Sequence, residues 1–144
     1  MTIEIRSYEE ADRATLVELW QRCELTRPWN DPNLDIDRKL ALDDGLLLVA
    51  TDAGKLLGSV MVGYDGHRGW VNYLAVDPDR QRTGLGAQLM QTAEDILQDM
   101  GCPKINLQIR QSNRKLVGFY AALGYDVDPV TSMGKRLIHD DTAK

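Results

Sequence analysis

The most distinctive chemical feature of the sequence is a cationic turn with two glycines at residues 79–86. Gly84 and Gly86 carry no side chain, so the backbone can approach a ligand closely, and Arg80 and Arg82 add positive charge. A helix that begins at this turn directs its first N–H groups and the positive end of its dipole toward the same place. The turn therefore predicts a binding site for phosphate groups, and a pyrophosphate suits it.

The same turn lacks the residues of two common nucleotide-binding motifs. Gly84-Leu-Gly86 is not followed by Gly-Lys-Ser/Thr, which excludes a P-loop. Position 89 is leucine, so the third glycine of the dinucleotide-binding fingerprint is missing. The predicted ligand is thus a phosphate-bearing molecule other than a nucleoside triphosphate or NAD.

The run Gln81-Arg-Thr-Gly-Leu-Gly86 resembles the Q/R-x-x-G-x-G/A signature of GNAT-type N-acetyltransferases, which bind acetyl-CoA. Leu74-Ala-Val-Asp-Pro78 resembles the strand that precedes this turn in the family. Asn113, Tyr120 and Leu123-Gly-Tyr125 resemble the family's second motif. Four further segments resemble the small bacterial YpeA-type acetyltransferases, at residues 27–32, 64–69, 101–105 and 134–138.

The resemblance implies that acetyl-CoA is the co-substrate, that no metal takes part, and that particular residues hold the cofactor. Along the pantetheine arm these are Leu74, Ala75, Val76 and Asn113. Around the pyrophosphate they are Gln81, Arg82, Thr83, Gly84, Leu85, Gly86 and Ala87. The resemblance also implies that Leu74 and Val76 lie on a strand that bulges and splays away from its parallel neighbour.

The reaction needs a neutral amine to attack the thioester carbonyl, an oxyanion to form and a thiolate to leave. A backbone N–H at the strand bulge, that of Val76, is expected to stabilise the oxyanion, and loss of one such donor costs about 3–4 kcal/mol in known oxyanion holes. The resemblance places the hydroxyl of Tyr120 near the CoA sulfur. A tyrosine with its ordinary pKa of about 10 is suited to protonate a departing thiolate, so we predict that Tyr120 is the general acid.

The general base is not evident from the sequence. Trp70, Asn72 and Gln108 hold strand positions at which this family often has a glutamate, and none of them takes up a proton at neutral pH. The remaining candidates are Glu24, Asp31, Tyr64, Asp65, His67 and Tyr73. About a tenth of an α-amine with a pKa near 8 is neutral at pH ~7, against less than about a thousandth of a lysine side chain. This difference favours an acceptor amine of low pKa.

Two segments have alternative interpretations that the sequence leaves open. In the loop at residues 27–32, Trp29 either fills a packing site in a proline-stiffened connection or forms an acceptor wall with Asn30 and Asp31. Arg110, Arg114 and Lys115 are either the solvated start of a helix or a site for the 3′-phosphate of CoA.

Hydrophobic periodicity predicts the elements that must position these residues. Strands are expected near residues 3–5, 46–51, 56–64, 70–76, 105–109, 125–128 and 132–138. Helices are expected at residues 9–23, from 31 towards 43, through 89–100 and from about 113 to 123. The strand–helix–strand order between residues 70 and 110 implies one parallel pair. The predicted fold is α/β (α+β), with a mostly antiparallel sheet of about seven strands and four helices on its faces.

Composition limits the wider interpretation. The 144 residues have a net charge of -5, and the longest apolar run, Leu46–Ala50, is far too short to span a membrane. We expect one domain over residues 1–144, a cytoplasmic location, no nucleic-acid or membrane partner, and a monomer or homodimer. Cys23 and Cys102 lack the close spacing of a metal or redox pair. The predicted function is direct acetyl transfer to a primary amine, on a small molecule or at a peptide or protein N-terminus. The alternative is a non-catalytic module that binds acyl-CoA.

Overall fold

The computed structural model describes residues 2–142, so the predicted domain limits at residues 1 and 144 lie outside the described part. The strands are β1 (Ile3–Ser7), β2 (Leu47–Asp52), β3 (Lys55–Tyr64), β4 (Gly69–Val76) and β5 (Ile105–Leu107). The helices are α1 (Arg13–Arg22), α2 (Pro32–Ala41), α3 (Leu85–Asp99) and α4 (Lys115–Ala122). Short 3₁₀ turns lie at residues 10–12, 78–80, 111–113 and 140–142.

The five strands form one mixed sheet in the order β1-β2-β3-β4-β5. The first three pairings are antiparallel, and β4 pairs with β5 in parallel. Helix α3 makes the crossover between the two parallel strands, as a parallel connection requires. The predicted mixed sheet with one parallel pair and four helices is confirmed.

The two final strands predicted at residues 125–128 and 132–138 do not form within residues 2–142, so the expected count of about seven strands is wrong. Pro129 has no N–H to donate to a strand ladder. The apolar side chains of Val127, Met133 and Leu137 are 83–91% exposed, so their burial does not contribute to folding. Side-chain hydrogen bonds hold this segment instead, from Lys104 to Asp128, from Gln108 to Ser132 and from Arg136 to Asn30.

The sheet separates two hydrophobic clusters. On one face, Leu16 and Trp20 of α1 and Ile36 of α2 pack on the sheet with no exposed surface. On the other face, Leu89 and Met90 of α3 are equally buried. Full burial of one such side chain contributes about 1.5–3 kcal/mol, so these stripes fix the helices on opposite faces of the sheet.

Local signals in the sequence account for several element ends. The side chain of Asp31 accepts hydrogen bonds from the N–H groups of Asn33 (2.8 Å) and Leu34 (3.4 Å), and Pro32 is the first residue of α2. These are an N-cap and a first-turn proline, and they start the helix that was predicted from residue 31. Gly101 follows α3 with φ at +82°, a conformation that glycine adopts without strain. Within residues 2–142, no helix combines the length and the apolar character needed to cross a bilayer.

Candidate functional site

A wedge opens between the two parallel strands. Pairing of β4 with β5 stops at Val71 and Leu107, whereas β4 continues to Val76. The edge of β4 that faces away from β3 therefore has no strand partner over residues 72–76 in the described chain. Backbone groups of this edge that have no hydrogen-bond partner within the described chain are available to a ligand that lies in the wedge.

A β-bulge lies in the same part of β4. Between the pairs Ser59–Ala75 and Met61–Asn72, β4 contains one more residue than β3. Tyr73 takes up this extra length with φ at +52°, which is uncommon for a residue other than glycine. The bulge and the splay implied by the family resemblance are both present.

The N–H of Val76 points into the wedge. Asp77 donates its backbone N–H to the carbonyl of Leu57 on β3, at 2.7 Å. Because successive residues of a strand direct their backbone groups to opposite sides, the N–H of Val76 points away from β3. The carbonyl of Val76 accepts from Cys23 Sγ at 3.3 Å and Gln81 Nε2 at 3.4 Å, neither of which belongs to β3. This orientation suits the predicted donor at the bulge.

The cationic turn leads from the end of β4 into α3. Arg82 and Gly84 have φ of +66° and +85°, and α3 begins at Leu85. Residues 81–84 are exposed, so the turn that leads into α3 is open to solvent and carries the charge of Arg82. The Thr83 hydroxyl is engaged within the turn, since it donates to the carbonyl of Arg80 at 2.6 Å. The arrangement has the donors and the charge of an anion site.

Gly86 has a packing role that the sequence did not reveal. A Cβ at this position would lie 3.2 Å from Cζ of Phe119 and 3.7 Å from Cγ2 of Val76. The missing side chain therefore lets α3 pack closely against the Phe119 ring of α4. The predicted neighbours Leu85 and Ala87 are buried and half-buried on this helix, and Ala75 is buried on β4.

Tyr120 of α4 lies on the same face of the sheet as α3. Its ring makes edge contacts with Phe119 (4.9 Å between centroids) and Tyr125 (5.8 Å). Burial raises the pKa of Tyr120 to about 12, so the hydroxyl remains protonated at neutral pH. Among residues 2–142 this hydroxyl has no hydrogen-bond partner, which leaves it available as a donor. Asn113, exposed in the turn before α4, donates its backbone N–H to Arg110 at 2.8 Å.

On the opposite face of the sheet, a cavity of ≈ 440 Å³ lies between α2 and the bulged strand. Its lining includes Asn30, Asp35, Arg38 and Lys39 on the α2 side and Asn72 and Tyr73 of β4. The bulge therefore separates two accessible regions, the wedge beside α3 and α4 and this cavity beside α2. A reaction between two molecules bound on opposite faces would meet at the bulge.

Asp35 is a functional candidate that the sequence did not identify. Its Oδ2 accepts a hydrogen bond of 2.6 Å from the Tyr73 hydroxyl. The Tyr73 ring stacks on Trp20 with 3.8 Å between centroids, which fixes the direction of the hydroxyl. Burial and the nearby Asp35 carboxylate raise the pKa of Tyr73 well above its ordinary value, so the hydroxyl stays a donor.

The three residues predicted as an acceptor wall have different environments. Asn30 lines the cavity, whereas the carboxylate of Asp31 serves as the N-cap of α2. Trp29 is 45% exposed and does not fill a packing site, and the Arg110 guanidinium lies 5.7 Å from the centre of its ring. Arg114 and Lys115 are exposed where α4 begins.

The candidates for the general base lie apart from one another. Of the six, only Tyr73 lines the cavity within residues 2–142. Asp65 accepts from the N–H groups of His67 (2.8 Å) and Arg68 (2.7 Å) in the turn before β4, and these bonds lower its pKa. Glu24 has φ at +58° just after α1. In the described part of the chain, no group of three or more His, Cys, Asp or Glu residues is arranged to hold a metal ion.

The segment after α4 contacts the lining of the cavity through Asp140. The buried carboxylate of Asp140 accepts from Arg38 at 2.6 and 3.2 Å and from the backbone N–H of Asp31 at 2.8 Å. Arg136 lies 3.2 Å from the same carboxylate. These donors lower the pKa of Asp140 to about 2, so the contact persists at all but strongly acidic pH.

Comparisons with known proteins agree with this geometry. Residues 13–125 match the model of the Acetyltransferase (GNAT) family. The chain is 46% identical to an acetyltransferase of Pectobacterium atrosepticum over 138 residues, which cover 96% of this chain and 98% of that protein. It is 48% identical to an acetyltransferase of Sodalis glossinidius over 139 residues, which again cover 96% and 98%.

Solved structures share the fold. The ribosomal-protein-S18-alanine N-acetyltransferase of Escherichia coli has a TM-score of 0.69 and 27% identity, over 85% of this chain and 77% of that one. Ard1 of Thermoplasma volcanium has a TM-score of 0.76 at 22% identity, over 89% and 85% of the two chains. Membership of this family implies the use of acetyl-CoA. The chain belongs to the GNAT acetyltransferase family and is an acyltransferase enzyme.

Proposed function

We propose that this enzyme transfers the acetyl group of acetyl-CoA directly to a primary amine, with a peptide or protein N-terminus as the favoured acceptor. The observation that carries the proposal is the position of the bulge of β4. The cationic turn and Tyr120 lie on one side of the bulge, and a polar cavity lies on the other. Two substrates bound on opposite faces would bring their reacting atoms together there.

The residues around the wedge fit acetyl-CoA. The first N–H groups of α3, with the exposed residues Gln81, Arg82, Thr83 and Gly84 before them, would bind the pyrophosphate. The unpaired edge of β4 at Leu74 and Val76 would bind the pantetheine amides as an added strand does. Bound in this way, acetyl-CoA supplies an acyl group activated as a thioester.

Two groups of the chain would then assist the transfer. The N–H of Val76 would stabilise the negative charge that develops on the carbonyl oxygen. The Tyr120 hydroxyl, protonated and without a partner in the described chain, would donate its proton to the departing sulfur. Neither cysteine is suited to form a covalent intermediate, since burial raises the pKa of Cys23 and Cys102 lies beyond α3, 3.3 Å from the carbonyl of Lys104.

Two observations favour an N-terminal amine as the acceptor. No side chain of β4 or β5 supplies a carboxylate that could act as a base, and a low-pKa amine needs the least help to lose its proton. In addition, the Escherichia coli enzyme, 27% identical to this chain, is named for N-acetylation of an alanine of ribosomal protein S18.

The proposal is tested in two steps. First, acetyl-CoA, CoA and ATP are compared in a thermal-shift assay, where we expect both CoA species to raise the melting temperature. Second, thiol release is followed over a panel of short peptides with a free N-terminus, N-blocked lysine peptides and simple alkylamines. Stabilisation by ATP alone would contradict the cofactor assignment. CoA binding without thiol release on any amine would instead support a non-catalytic CoA-binding module.

A further inference from the structure

We infer that Asp35 binds the ammonium group of the acceptor amine and that Tyr73 holds the Asp35 carboxylate in place for this contact. The inference rests on the proposed function and deepens it, because it assigns a recognition residue to the acceptor side of the site. Asp35 lies on α2, outside every segment that carries the family resemblance.

Tyr73 connects the acceptor cavity with the reacting region. Its backbone forms the bulge of β4, and its side chain passes along Trp20 to the cavity on the α2 face. The hydroxyl at the end of this side chain donates to Asp35 at 2.6 Å. The carboxylate is thus held at a fixed distance from the strand segment that would bind the thioester.

The Asp35 carboxylate has room for a further donor. Its Oδ2 accepts from Tyr73, and its Oδ1 accepts from Arg38 at 3.2 Å. Two carboxylate oxygens offer about four acceptor positions, so about two remain for a ligand. The side chain of Asp35 is 21% exposed, which makes it reachable from the cavity while it is still sheltered from bulk water.

The charges around the cavity favour a cation at Asp35. Lys39 is bound by Asp44 at 2.8 Å and by the carbonyl of Val62, and Arg38 is bound at 2.6 Å by Asp140. Each cation of the lining therefore has a carboxylate partner away from Asp35. Asp35 is the one carboxylate among the described residues that line the cavity. Arg38 is shared between Asp140 and Asp35 and contacts only Oδ1 of Asp35, so a cationic ligand would complete the pairing of this sheltered carboxylate.

Binding as an ammonium precedes the transfer, and the protons balance as follows. The bound ammonium releases one proton to solvent and becomes a neutral amine. Its nitrogen forms the C–N bond to give a tetrahedral oxyanion and loses a second proton to water, and collapse of the oxyanion breaks the C–S bond. Tyr120 protonates the thiolate and regains a proton from water, so one proton is released for each acetyl group transferred. Asp35 binds and orients the amine and is unchanged at the end.

The test compares Asp35→Asn with Asp37→Asn, a matched control on the same helix whose carboxylate pairs with Arg13 at 2.7 Å and does not line the cavity. Thiol release is measured with the best aliphatic amine of the panel and with an arylamine, which is neutral at the assay pH. For Asp35→Asn we expect KM for the aliphatic amine to rise about 10- to 100-fold while kcat changes much less. KM for the arylamine and the thermal shift by acetyl-CoA should remain as in the wild type.

Two further variants separate charge from position. Asp35→Glu keeps the charge and is expected to restore most of the affinity for the aliphatic amine. Tyr73→Phe removes only the hydroxyl and is expected to raise the same KM by a smaller factor. The inference is overturned if the KM of Asp35→Asn for the aliphatic amine matches that of Asp37→Asn, or if the KM of Asp35→Asn rises equally for the aliphatic amine and the arylamine. A wild-type protein that acetylates no amine would defeat the proposed function itself, and this inference with it.

Discussion

The Arg22 guanidinium holds the buried carboxylate of Asp77 by two hydrogen bonds, of 3.0 and 3.1 Å. The same carboxylate accepts the backbone N–H of Asp79 at 2.9 Å, so one side chain joins the end of α1 to the turn that leads into the anion site. These hydrogen bonds lower the pKa of Asp77 below its ordinary value. The negative charge on Asp77 is therefore part of the structure of the turn.

Asp77→Asn should weaken the fold. The variant removes a charge-assisted contact of a buried group, so we expect the free energy of unfolding to fall by about 1–3 kcal/mol. Urea unfolding at neutral pH measures this loss. Asp79→Asn is the control, because the Asp79 side chain is 85% exposed and lies 3.7 Å from Arg22, and it should change little. Equal effects of the two substitutions would contradict the structural role of Asp77.

The pH dependence of this contact has a definite sign. The pKa of Asp77 is lower in the folded protein than in the unfolded chain. The contribution of this contact to the free energy of unfolding is therefore fully present above the unfolded pKa of about 3.9, and it is lost as pH falls through the folded pKa. Urea unfolding of the wild type and Asp77→Asn should therefore differ most at neutral pH and converge under acidic conditions. A difference that persisted undiminished at pH of about 2 would exclude the charge as the cause.

Tyr120→Phe should lower kcat and leave KM for acetyl-CoA nearly unchanged. Proton transfer by a positioned acid contributes about 100- to 10,000-fold to rate, and the loss should fall within that range. Since the pKa of Tyr120 is about 12, ionisation of this group should not limit the wild-type rate at moderately alkaline pH. Steady-state kinetics across the pH range checks both statements. Wild-type turnover by the variant at every pH would remove Tyr120 from the mechanism.

Burial of Tyr120 also affects alkaline stability. The Tyr120 hydroxyl ionises near pH 10 in the unfolded chain and near pH 12 in the folded one. Its contribution to stability is therefore fully present below about pH 10 and is lost as pH rises through this interval. A difference of about two pKa units corresponds to about 2–3 kcal/mol. Over this pH range, the free energy of unfolding should therefore fall more in the wild type than in Tyr120→Phe. The pKa of Tyr73 is also raised, but Tyr120 is not among its causes, so its contribution cancels in the comparison. Tyr120 helps to raise the pKa of Tyr125, so Tyr125 adds to the difference in the same direction.

Gly86→Ala should destabilise the protein by overpacking. The new methyl group would lie 3.2 Å from the Phe119 ring, and we expect a loss of about 1–3 kcal/mol. Phe119→Leu removes the ring atoms at that contact, so the double variant should lose less than the sum of the two single changes. Gly118→Ala is the control for a methyl group added nearby, since no atom lies within 4 Å of the Cβ position there. Strict additivity between positions 86 and 119 would show that the contact is not responsible.

The sequence predicted the elements whose causes are local. Asp31 and Pro32 begin α2 through bonds within one turn, and Gly101 ends α3 through its own backbone conformation. The parallel pair followed from the strand–helix–strand order between residues 70 and 110, because a parallel connection needs a crossover helix of that length. Such signals can be recognised in the sequence alone because the interacting residues are neighbours in the chain.

The features that the sequence missed depend on distant contacts. Asp35 and Tyr73 are 38 residues apart, and neither spacing nor residue type indicated that one would bind the other. Asp35 reads simply as a polar position of an amphipathic helix. The strands predicted at residues 125–128 and 132–138 did not form for the opposite reason. Apolar residues such as Val130 and Ile138 favoured strands locally, but within residues 2–142 these side chains are mostly exposed and have no strand partner.

Because pairing between β4 and β5 ends early, neighbouring amide hydrogens at the end of β4 have different environments. Asp77 donates to Leu57, so its hydrogen can exchange with deuterated solvent only after β3 and β4 separate. The hydrogen of Val76, one residue earlier, faces the open wedge and can exchange without any opening of the sheet. The amides of Val76 and Asp77 would therefore differ widely in exchange rate, and a ligand that occupied the wedge would slow only the exchange of Val76.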